Sequence, residues 1–100
     1  MTPQHEKGAI PVRAPGLEIE EAGDGFIIYD EARDRIHYLN HTATLVLEAC
    51  QGELDATGIT DLVATLYSLP NAPLEDVDSV LLQLEQEGLV HWRSSDGQSA

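Results

Sequence analysis

One hundred residues, 42% of them hydrophobic and 23% charged, are enough for one small domain with a single core and too few for two substantial ones. Eighteen acidic against five basic side chains give a net charge of −13, an unfavourable field for nucleic acid or an anionic membrane. The single cysteine, Cys50, excludes an internal disulfide framework, a CxxC redox pair and a multi-cysteine metal site built from this chain alone.

Residues 1–16 hold three of the five prolines and little periodic apolar content, which predicts a flexible N-terminal arm. They also lack the apolar stretch of a signal peptide, and no later run approaches the roughly 20 apolar residues of a membrane span. A cytoplasmic location is expected. From Leu17 the pattern changes. Leu17-Glu18-Ile19-Glu20 alternates apolar and polar, Gly23-Asp24-Gly25 suits a tight turn, and Phe26-Ile27-Ile28-Tyr29 is rich in strand formers. A second polar stretch, Asp30 to Asp34, leads into Arg35-Ile36-His37-Tyr38-Leu39. A three-stranded antiparallel meander over residues 17–39 follows, with the third strand at an edge.

Asn40 is placed to cap a first helix whose stripe is Ala43, Leu45, Val46, Leu47, Ala49 and Cys50, ended by Gly52. Thr57 or Gly58 is the expected cap of a second helix with Ile59, Leu62, Val63, Leu66 and Leu69 on one face, closed by Pro70. Pro73 suits the first turn of a third helix, with Glu75 and Asp76 complementing its dipole. Gly88-Leu89 reads as its C-terminal glycine and hydrophobic closure, and Leu89 to Trp92 as a short final strand. The order is α+β and winged helix-turn-helix-like: a three-stranded antiparallel meander followed by three helices. The domain is expected over 17–92, with a flexible tail over 93–100.

In a winged helix the third helix is the natural reader of a DNA groove, where Lys and Arg must neutralise phosphates. Here it carries Glu75, Asp76, Asp78, Glu85 and Glu87, and no Lys or Arg occurs between Arg35 and Arg93. DNA binding is therefore disfavoured. At 100° per residue Leu74, Val77, Val80, Leu81 and Leu84 form the core arc, while Leu82 falls on a flank with Glu75, Asp78 and Glu85. That flank reads as an apolar contact ringed by carboxylates, suited to an apolar and cationic partner.

The segments Ile28 to Asn40, Thr42 to Gly52 and Asp76 to Val90 resemble the PqqD family, small proteins associated with pyrroloquinoline quinone biosynthesis and peptide-modification clusters. The Leu39-Asn40 step and the Gly88-Leu89-Val90 ending carry most of the likeness. The resemblance implies a peptide chaperone. It would bind the leader segment of a ribosomally made precursor as an added strand beside the third strand, in a cleft completed by the third helix. It would then present the leader to a modifying enzyme, often a radical S-adenosylmethionine protein. The expected peptide-binding residues are Arg35, Ile36, His37 and Tyr38 on the strand, with Asp78, Leu81, Leu82 and Glu85 on the helix. A physical warrant stands beside the resemblance, because an edge strand leaves N–H and C=O groups that an extended chain can pair with. The same edge would permit a homodimer. The alternative is an acidic winged-helix scaffold or regulator that contacts proteins without strand addition.

No catalytic or metal-binding residue and no cofactor is expected. His37 and His41 flank the strand-to-helix junction without ligand spacing, and Cys50 sits at a helix C-terminus that would raise its pKa. No Gly-rich phosphate loop, nucleophile elbow or HExxH motif occurs.

Overall fold

A computed structural model describes residues 9–71 and 73–93. The elements are β1 (Ile10–Arg13), β2 (Leu17–Ala22), β3 (Gly25–Asp30), β4 (Arg35–Leu39), α1 (His41–Ala49), α2 (Ala56–Leu66), α3 (Leu74–Gln86) and β5 (Val90–Arg93). Strands β2, β3 and β4 form the antiparallel meander, with Ile28 opposite Ile19 on one side and His37 on the other. The architecture is α+β and winged-helix-like. Gly23, at φ 59°, takes the first central position of the two-residue β2–β3 loop, where the strand twist calls for a left-handed residue. The β3–β4 turn is closed from within: the buried Asp30 carboxylate accepts the Arg33 N–H at 3.3 Å.

Helix ends follow local chemistry. Asn40 Oδ1 accepts the Ala43 N–H at 2.8 Å, as expected of the α1 cap. For α2 the cap is Asp55, whose carboxylate accepts the Gly58 N–H at 2.9 Å; Thr57 and Gly58 lie inside the first turn. An ionised Asp competes better than Thr for the exposed N–H groups at a helix start. At the end of α3 the Leu89 N–H reaches the Leu84 carbonyl at 2.9 Å and the Gly88 N–H reaches Glu85 at 3.0 Å, with Gly88 at φ 80°. This paired closure is a Schellman motif.

Ile28 of the sheet packs with Val46, Leu47 and Cys50 of α1, Ile59 and Val63 of α2, and Val77, Leu81 and Leu84 of α3. Buried Thr44 and Thr60 return their hydroxyls to the carbonyls of Asn40 and Ala56, so neither leaves an orphan donor. Leu74 is exposed, because the first turn of α3 precedes its contact with the core. Leu66 and Leu69 are exposed as well. Helix α2 stops at Leu66, before Pro70, and Ser68 at φ 54° turns the chain away.

Order begins earlier than the composition of residues 1–16 suggests. Strand β1 pairs antiparallel with β5 in a second sheet, Ile10 opposite Arg93. The Arg13 N–H donates to the Cys50 carbonyl at 2.7 Å and the Ala14 N–H to the Leu89 carbonyl at 2.8 Å. Pro11 is fully buried, at no cost to the ladder, since a proline on an edge strand can turn its missing N–H outward. Likewise Arg93 closes β5 and donates to the Gly52 carbonyl, so it belongs to the domain. Residues 1–8, and 94–100 of the expected tail, lie outside the described residues.

Gly88 has a second role. A side-chain carbon at this position would collide with Nη1 of Arg33, so the guanidinium of the β3–β4 turn rests against the C-terminal end of α3. A cation is favoured there by the helix dipole. Gly88→Ala is expected to lower stability by about 1–2 kcal/mol, mainly through the left-handed backbone, since the arginine tip can move aside. Urea denaturation would measure it, and an unchanged midpoint would contradict the assignment.

Candidate peptide-binding site

Strand alternation settles which way each β4 side chain points. Leu39 is buried, and His37, opposite Ile28, faces the helices with it; Arg35 shares that face at the exposed turn end. Ile36 and Tyr38 face the opposite side, where they are 69% and 60% exposed beside Ile27 and Tyr29 of β3. Among the described residues β4 pairs only with β3, so its outer edge is open.

The helix side of the cleft differs from the flank expected. His37 Nδ1 lies 3.6 Å from Glu87 Oε1, with the two side chains 13% and 34% exposed. Gln83 Nε2 donates to Glu87 Oε2 at 3.5 Å. Glu85 belongs to the other side of α3, where its Oε1 accepts Trp92 Nε1–H of β5 at 3.2 Å. Glu85 and Glu87 are about 200° apart around a helix, so β4 and β5 lie against opposite flanks of α3. Helical spacing puts Asp78 and Leu82, both half-buried, with Glu85, and puts Asp76, Val80 and Gln83 with Glu87. Leu81 is fully buried and supports the cleft from the core. The structure therefore carries Arg35, Ile36, His37 and Tyr38 on one strand and sets Glu87, with Gln83, beside His37, whereas Glu85 lies toward β5 with Asp78 and Leu82 on its flank of α3. Glu87 could not be singled out from the helix alone, because its partner is a histidine on a distant strand. Leu82 drew notice only as a lone leucine among acids.

The remaining candidate groups have structural roles. His41 packs edge-on against Phe26, ring centroids 5.2 Å apart. Among the described residues no three His, Cys, Asp or Glu side chains come close enough to hold a metal ion. Tyr29 donates to Asp34 Oδ1 at 3.2 Å, and that hydrogen bond, with the carboxylate charge, raises its pKa. Cys50 is fully buried, its thiol 3.2 Å from the Val46 carbonyl. Burial pushes its pKa up to about 12, against a smaller lowering by Arg13.

These features define a small winged-helix-like domain with an open strand edge beside an acidic helix. The family model for coenzyme PQQ synthesis protein D (PqqD) matches residues 25–90, and the chain belongs to that family. The match covers β3 to the start of β5 and leaves β1 and β2 outside. A solved structure described as lasso peptide synthetase B1 complexed with the leader peptide shares the fold. Its TM-score is 0.59 at 15% identity, covering 81% of this chain and 96% of that one. Comparison with curated proteins gives no match.

A thiol that ionises near pH 9 when unfolded but at about 12 in place holds its proton more tightly in the native state. Its contribution to stability is full below pH 9 and is lost as pH rises toward 12. Native protein at about pH 8 should therefore resist thiol reagents and label freely in denaturant. Rapid labelling without unfolding would contradict this.

Proposed function

We propose that this protein binds the leader segment of a ribosomally made precursor peptide by strand addition at β4 and presents it to a modifying enzyme. The open β4 edge beside α3 carries the proposal, since an extended chain placed there would satisfy backbone groups now left to solvent. Membership of the PqqD family and the fold shared with a protein solved with a leader peptide support it. The protein acts as a recognition module, and the chemistry belongs to its partner. A radical S-adenosylmethionine enzyme is one class of partner the proposal accommodates.

Magnitudes indicate what the cleft must contribute. Strand β4 has five residues, and a net gain of about 1 kcal/mol per hydrogen bond gives only about millimolar affinity. Tighter binding requires side-chain contacts, with Ile36 and Tyr38 on one face and His37 with the Glu87 flank on the other. The proposed contact set is therefore Arg35 to Tyr38 together with Gln83 and Glu87, with Leu81 beneath.

The test is an amide-shift titration with the leader half of a precursor encoded beside this chain's gene. Shifts should concentrate at Arg35 to Tyr38, and N-methylation of alternate peptide residues should abolish binding in one phase and spare it in the other. Shifts confined to β1, β5 or α2 would overturn strand addition. Affinity should also fall as salt rises, because the α3 flank is anionic.

A further inference from the structure

Resting on strand addition at β4, we infer a sequence rule for the bound segment. It places a Lys or Arg side chain toward α3, at His37 and Glu87, and apolar side chains at the flanking positions, turned outward beside Ile36 and Tyr38. Side chains of a strand alternate between faces, so an added strand extends both faces of β4 at once.

On the inner face, His37 Nε2 and Glu87 Oε1 are buried and make no hydrogen bond among the described residues. At 3.6 Å from His37 Nδ1, Glu87 Oε1 is beyond hydrogen-bond length, so the carboxylate still needs a donor. Among the described residues the other Glu87 oxygen is held by the 3.5 Å contact from Gln83, and the side chain is one-third exposed, so an incoming ammonium or guanidinium can reach it. Asp76 extends the negative charge along the same flank, and no Lys or Arg occurs in α1, α2 or α3. Arg35 lies on the same face of β4 two residues away, and Arg33 rests on Gly88. They confine the cation to the His37–Glu87 position.

On the outer face, Ile36 and Tyr38 stand exposed beside Ile27 and Tyr29, and Glu18 and Glu20 of β2 line the depression beyond. Cross-strand neighbours of Ile36 and Tyr38 gain most when they are apolar or β-branched. The rule is thus apolar, basic, apolar, with the one basic residue at the His37–Glu87 position.

The probes are three blocked decapeptides of alternating valine and serine in which one central serine is kept or is replaced by lysine or glutamate, titrated against the full chain in low salt by calorimetry and amide shifts. The lysine peptide should bind about tenfold more tightly than the serine peptide, and the glutamate peptide more weakly than either. Because the whole chain is negative, the local claim rests on variants. Glu87→Gln should remove most of the lysine preference, whereas Glu53→Gln, in the exposed loop before α2, should leave it within about twofold. Ile36→Thr, which keeps a strand former, should weaken all three peptides about fivefold. Equal binding of lysine and serine peptides, or equal effects of Glu87→Gln and Glu53→Gln, would overturn the basic position. If shifts at Arg35 to Tyr38 persist in that case, strand addition survives. No shift at β4 with any peptide would overturn both.

Discussion

The placement of β4 beside α3 depends on how the C-terminal end of α3 is held against the β3–β4 turn. Gly88 takes a left-handed conformation that closes α3, and its missing Cβ lets the Arg33 guanidinium rest on the helix end. Leu84 and Leu89 fix the same point from the core side, both fully buried and joined through the closing hydrogen bond. His37 and Glu87 then meet across the gap. A favourable charge at a helix terminus, a backbone shape open to glycine and apolar burial thus act at one place. Together they set the spacing between the edge of β4 and the end of α3.

The second sheet stiffens the opposite side. Strand β5 leaves α3 at Val90 and is paired by β1, which also bonds to the end of α1 through Arg13 and Cys50. Trp92 reaches Glu85 on the α3 flank away from β4. One flank of the helix is thus engaged within the fold while the other borders an open strand. The division leaves a free strand edge with a helix beside it, while α3 carries carboxylates and none of the cations that phosphates require. Groove reading would need cations on the exposed flanks of α3, and strand addition needs only a free edge and a neighbouring wall.

Much of the fold was legible in the residues because it rests on local contacts. The Asn40 cap, the Gly88-Leu89 closure and the glycine-bearing β2–β3 turn each depend on a few adjacent positions, and each stands where its chemistry indicates. The α2 cap was displaced by the stronger claim of Asp55, two residues earlier than Thr57. Strand β1 was hidden because Pro11 and its neighbours carry no alternating signal, and their order comes from a partner at the far end of the chain.

Composition and short-range periodicity suffice for the acidic surplus, the single core, the edge position of the third strand and the lack of cations along α3. Which flank of α3 meets β4 was set by packing, which puts Glu87 and Gln83 beside His37 and turns Glu85 toward β5. A helical pattern reports which residues share a face but carries no information on which neighbour that face will meet. That choice is made by packing between segments distant in the chain, here the rotation of α3 that buries Val77, Leu81 and Leu84 against the core.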